Sequence, residues 1–181
     1  MNSVILTIII IASIILFLII LYVVIITIVK KSQLKKMYSD VEAFLDFYTT
    51  ENIGSFEKKS LPEYDYILKT KKNQYFIKVI PNFSNQEITV NNSVKWQLRK
   101  AFNDESLRYV ENVEPLMRMD MPNNDGKLLN KKVYIIYPNA KSLLKYINEC
   151  EMEFVHPDTD VYGTNIITYV YLNENKETLD L

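Results

Sequence analysis

The residues able to do chemistry are few and scattered. His156 is the only histidine and Cys150 the only cysteine. Zinc sites and catalytic triads usually need more such groups than this pair supplies. His156-Pro157-Asp158 reads as a surface turn. Cys150 lies between Glu149 and Glu151, whose negative charge opposes thiolate formation. The stretch Met121–Lys132 places Gly126 sixth, as in a calcium loop, with Asn123 and Asp125 third and fifth. Met121 and Lys132 occupy the first and twelfth places, where carboxylates belong. No metal set or cofactor is implied, and a turn is the better reading. Asp65 and Lys78 lie on neighbouring predicted strands.

Composition narrows the classes further. Only three glycines occur, Gly54, Gly126 and Gly163, and glycine-rich phosphate loops need several in a tight pattern. Setting aside Lys30, Lys31, Lys35 and Lys36 leaves 17 of the 21 basic residues against 22 acidic ones in residues 38–181, a net of −5. General nucleic-acid binding, which uses a basic face, is not expected of such a domain, although a local basic face is compatible with it. The 13 tyrosines suit half-buried sheet packing better than base stacking. A single cysteine allows no intrachain disulfide, which fits a reducing compartment.

The element that must position everything else is at the start of the chain. Residues 4–29, from Val4 to Val29, contain no charge, proline or glycine. Twenty helical residues cross a hydrocarbon core of about 30 Å, and a chain in lipid must satisfy its own backbone hydrogen bonds. The β-branched run is therefore read as a transmembrane helix. A cleaved signal peptide has a shorter apolar core and a small-residue cleavage site, whereas this run leads into Lys30-Lys31. The four lysines Lys30, Lys31, Lys35 and Lys36 follow the run, and none precedes it. The positive-inside rule places the N-terminus outside and residues 30–181 in the cytoplasm of a single-pass protein of the cell membrane. The lysines are then expected at anionic headgroups. The sequons at Asn82 and Asn91 would matter only in a secretory lumen.

Beyond the anchor (1–29) and a basic juxtamembrane linker (30–37), residues 38–175 read as one soluble α+β domain with a polar tail at 176–181. Ser39-Asp40-Val41-Glu42 has the form of a capping box, predicting a helix over 39–52. Tyr64–Lys69, Tyr75–Ile80 and Glu87–Asn91 predict a three-stranded antiparallel meander. A helix carrying Val94, Leu98, Ala101 and Phe102 follows, then a turn-rich stretch at 103–131. A strand at Val133–Tyr137, a helix with Ala140, Leu143, Leu144 and Ile147, and a strand at Asn165–Leu172 complete the order.

Asp65 on one strand, a turn, and Phe76-Ile77-Lys78 on the paired strand resemble the PD-(D/E)xK, or restriction-endonuclease-like, superfamily, whose core has a similar element order. The resemblance implies a divalent metal at Asp65 and a second carboxylate, with Lys78 positioning the attacking water. Phe76 stands where that second carboxylate belongs; Glu63, Glu87 and Glu42 are the substitutes to examine. The leading expectation is a membrane-anchored, non-catalytic interaction or scaffolding domain with a protein partner at the inner membrane surface. The alternatives are a membrane-tethered, metal-dependent nuclease-like hydrolase, active or inactive, and a small-molecule or lipid sensor.

Overall fold

A computed structural model describes residues 3–52, 54–59, 61, 63–92, 96–102, 106–113, 128–148 and 151–177. The chain divides into two compact units, Met1–Ser39 and Asp40–Leu181. It is α+β, with a long apolar N-terminal helix and two mixed sheets.

Helix α1 spans Ser3–Asn52. The expected break at 30–37 is absent: residues 30–39 hold neither proline nor glycine and are helical throughout. Ser39 and Glu42 are interior helical residues, so the capping-box pattern marks no helix start here. Within the second unit, α1 buries Val41, Phe44, Leu45 and Tyr48, a stripe at helical spacing. The Glu42 carboxylate accepts from Lys58 Nζ at 2.7 Å and from the Tyr66 hydroxyl at 3.0 Å, joining helix to sheet.

Sheet A has the order β1-β2-β3-β7-β10, with β1 Ser55–Lys58, β2 Tyr66–Lys69, β3 Asn73–Pro81, β7 Leu129–Tyr137 and β10 Thr164–Thr168. The pairs β1–β2 and β2–β3 are antiparallel, whereas β7 lies parallel to both β3 and β10. Sheet B has the order β6-β5-β4-β8-β9, with β4 Glu87–Val90, β5 Trp96–Phe102, β6 Ser106–Val113, β8 Leu143–Asn148 and β9 Glu151–Phe154. Here β4 and β8 are parallel and the other pairs antiparallel.

Strand alternation gives sheet A two buried faces. Tyr66, Leu68, Tyr75, Ile77, Val79, Val133 and Ile135 are buried on one of them. Ile67, Phe76, Ile80, Tyr134, Ile136 and Ile166 on the other form a common core with Ile88, Val90, Trp96 and Leu143 of sheet B. The Trp96 and Tyr134 rings meet edge to face across this core, centroids 5.0 Å apart. Parallel strands need a crossover, and both crossovers of sheet A, β3 to β7 and β7 to β10, pass through strands of sheet B.

Asn82 holds the place where the chain changes sheets. Its amide nitrogen donates to Gln86 O and Asn139 O, both at 2.9 Å, and its carbonyl accepts from Gln86 N at 3.0 Å. Its backbone N–H reaches Tyr137 O at 2.6 Å. At 3% exposure, the first sequon asparagine is a packing element of both crossovers.

Several expected elements are corrected. β2 and β3 pair as predicted, but β4 leaves for sheet B after Pro81, which lacks a ladder donor, and the turn at Asn85 (φ 48°). The third meander member is β1, a four-residue polar strand with little sequence signal. The helix predicted around Val94–Phe102 is strand β5, anchored by Trp96 at 2% exposure. The helix predicted around Ala140–Ile147 is strand β8: Leu143 and Leu144, adjacent in sequence, are buried on opposite faces, and Ile147 is 47% exposed. The final strand stops at Thr168, which caps helix α2, Tyr169–Glu174, by accepting from Tyr171 N. Within the stretch read as turn-rich, β6 and the start of β7 are strands. Val94, Cys150 and the loop from Met121 to Gly126 lie outside the described residues.

Candidate functional site

Two features invite a functional reading: the apolar helix and the Asp65–Lys78 pair. Among the described residues, one helix is long and apolar enough to cross a membrane. Residues 5–25 are exposed on every side of it, so the run is not a core helix of the folded unit. The 26 residues from Val4 to Val29 span about 39 Å at 1.5 Å per residue. The hydroxyls of Thr7, Ser13 and Thr27 donate to the carbonyls of Ser3, Ile9 and Val23, four residues back, at 3.0, 2.8 and 2.8 Å. Such back-bonding satisfies these three hydroxyls within the helix itself. Lys30, Lys31, Lys35 and Lys36 are all exposed on the same helix.

The pair on sheet A is brought together. Lys78 Nζ lies 3.4 Å from Asp65 Oδ1 and 3.5 Å from Leu61 O. The Asp65 side chain is 8% exposed and that of Lys78 21%. Asp65 immediately precedes β2, where the ladder to β3 would otherwise run out. Its backbone N–H donates to Ile77 O at 2.8 Å, and its Oδ2 accepts from Val79 N at 2.8 Å. Ile77 O and Val79 N point to the same edge of β3, so the carboxylate serves as one more rung of the ladder. That is a structural use of a buried carboxylate, consistent with the rule that buried polar groups find partners.

The substitutes for the second carboxylate are dispersed. Glu42 sits on α1, bound to Lys58 and Tyr66, and its pKa is held below the ordinary carboxylate value chiefly by the Lys58 hydrogen bond. Glu87 lies on β4 of sheet B, accepting from Ser142 Oγ at 2.6 Å. Glu63 is half-buried two residues before Asp65. Among the described residues, no group of three or more His, Cys, Asp and Glu side chains could hold a metal ion. His156 is exposed in a turn closed by Thr159, whose N–H reaches His156 O at 2.9 Å and whose Oγ1 accepts from His156 N at 3.0 Å.

Two further clusters escaped the sequence reading. The Tyr137 hydroxyl donates to Asp40 Oδ2 at 2.5 Å, and the Tyr169 hydroxyl donates to Asp40 O at 3.3 Å. Burial first, and the Asp40 carboxylate second, push both phenol pKa values up. Tyr162, at φ 55° beside Gly163 at φ 77°, donates to Asn91 O at 3.1 Å and to Tyr146 O at 3.2 Å. Tyrosine is common in this sequence, and nothing in its local pattern marks these three. Comparison with protein-family models, with curated proteins and with solved structures finds no match.

Proposed function

We propose that the chain is a single-pass membrane protein whose α+β unit serves as a non-catalytic interaction or scaffolding domain at the cytoplasmic surface of the cell membrane. The supporting observation is the helix run from Ile5 to Ile25, exposed on every side, with the Thr7 and Ser13 hydroxyls bonded within the helix. Water exposure of such a surface costs about 25 cal/mol per Å², which a bilayer removes. Lys30, Lys31, Lys35 and Lys36 support the orientation and suit the headgroup region. The use of Asp65 as a ladder rung supports a non-catalytic reading of the sheet.

The test is alkaline carbonate extraction followed by protease treatment of inverted vesicles. The expected result is retention in the pellet and digestion of residues 38–181. Release into the supernatant would remove the anchor, and protection from the protease would reverse the orientation.

A second reading, a tethered metal-dependent hydrolase, is favoured by the 3.4 Å approach of Lys78 to Asp65. It requires Mg²⁺-dependent cleavage of nucleic acid by the purified full chain, abolished in Asp65→Asn. Absence of cleavage by the wild-type chain removes it.

A further inference from the structure

The folded unit is acidic overall, yet one end of sheet A is not. Residues 66–86 and 126–148 contain no Asp or Glu. These stretches meet where the β2–β3 turn abuts the start of β7: Leu129 N donates to Lys72 O at 3.2 Å, and Asn73 is in register with Leu129. Lys69, paired with Gln74, and Lys71 and Lys72 in the turn are exposed. Lys131 and Lys132, in register with Tyr75 and Phe76, are half-buried at the same end. Neighbouring strands lie about 4.8 Å apart, so five lysine positions fall within a few rungs of three adjacent strands, Lys131 and Lys132 on opposite faces and Lys131 Nζ 5.4 Å over the Tyr75 ring. At their centre Leu129 is 66% exposed, and the neighbouring Leu128 is half-buried.

We infer that this end of sheet A docks on an anionic phospholipid surface, with the lysines among the headgroups and Leu129 at the acyl boundary. The charge calls for a polyanion. The leucine at the centre selects among polyanions: a phosphate backbone has no apolar layer to receive it, whereas a lipid surface does. Nucleic-acid binders that stack bases use accessible aromatic rings, and the aromatic rings in register with Lys131 and Lys132, Tyr75 and Phe76, are buried at 1% and 0% exposure. Lysines near an anionic leaflet are worth about 1 kcal/mol each, or roughly fivefold in affinity. The contact is distinct from that of Lys30, Lys31, Lys35 and Lys36, which follow the apolar run directly in sequence.

The test uses the full chain in phosphatidylcholine nanodiscs, with incorporation scored first by gel filtration; failure there speaks against the anchor and not the patch. One arm measures capture of separate phosphatidylserine-containing vesicles, with phosphatidylcholine vesicles as control. The other measures acylation of Lys71 and Lys72 when the nanodisc itself contains phosphatidylserine. The result expected is anionic-vesicle capture weakened about 30-fold in K71E/K72E, or protection of these lysines in the anionic disc that is relieved by salt. The first places the contact on a second membrane, the second on the anchoring one. Leu129→Ser, which keeps every charge, should weaken whichever contact is seen. The inference is overturned if neither arm responds to anionic lipid, if the response is unchanged in K71E/K72E, or if that variant loses binding only to an oligonucleotide.

Discussion

Replacing Asp65 by alanine and by asparagine separates a ladder rung from a catalytic acid. The carboxylate makes one buried bond to Val79 N at 2.8 Å and one ion pair to Lys78 at 3.4 Å. A hydrogen bond to a charged group contributes about 1.5–3 kcal/mol, and orphaning a buried N–H costs about as much as the bond supplied. The ion pair has a gross attraction of about 5 kcal/mol at an effective dielectric of ~20, most of it offset by desolvation. Asp65→Ala, which leaves Val79 N–H without its acceptor, should lower stability by about 3 kcal/mol. Asp65→Asn keeps an acceptor oxygen and forfeits the ion pair, for a loss of about 1 kcal/mol. The single tryptophan, Trp96, is buried against Tyr134 and reports denaturation of the full chain in detergent micelles. Unfolding midpoints are compared at equal slope. Equal stability of the two variants, or no loss in Asp65→Ala, would refute the ladder argument. A shared loss of some enzymatic activity with unchanged stability would move Asp65 into a catalytic role.

Asn82→Ala removes three side-chain hydrogen bonds; at about 1 kcal/mol each the same denaturation assay should record a loss of about 3 kcal/mol. The phenols predict alkaline instability. Burial pushes Tyr134 from 10.0 up to about 12, and Tyr137 and Tyr169 are raised as well. Because these groups hold their protons longer when folded, their contribution is complete below about pH 10, the unfolded value. It is lost as pH climbs through the folded values; a denaturation series from pH 8 upward, read with phenolate absorbance, should show stability flat and then falling. In Tyr137→Phe that fall should be shallower, at the cost of about 1 kcal/mol at neutral pH for the lost bond to Asp40. Ile15→Arg, near the middle of the apolar run, should cost about 3 kcal/mol of insertion, less than the remaining apolar residues of the run supply, so the chain should stay in the carbonate pellet and its release would count against the anchor.

What could be read from residues alone follows the range of the forces involved. The apolar helix is fixed by a property of every residue in it, and β2 and β3 by local β-branched and aromatic runs. Leu143, Leu144 and Ile147 read as a helix face because helical spacing and a strand buried on both faces give the same letters. Only the neighbours across sheet B decide between them. β1 is four residues long with Phe56 its one apolar residue, and owes its strand conformation to pairing with β2. Ser39 and Glu42 satisfy a capping pattern that is overridden, because the ten residues before Asp40 propagate a helix already formed. At the site, Asp65 and Lys78 stand out in the sequence through their resemblance to the restriction-endonuclease-like pattern. The bond from Val79 N depends on where β2 begins in register, which no local pattern encodes.

The threading of sheet A through sheet B sets a schedule for synthesis. β3 and β7 are partners along their whole length, yet about fifty residues separate the end of one from the start of the other. At ~5–20 residues per second, β3 waits several seconds for β7 to be made. During that interval Tyr75-Phe76-Ile77, with only Lys78 to interrupt Val79-Ile80, presents an unpaired edge of the kind that recruits other chains. If the first helix anchors the chain as proposed, that edge is held near others of its own kind during synthesis, and expression temperature and copy number should govern yield more than the stability of the finished protein does.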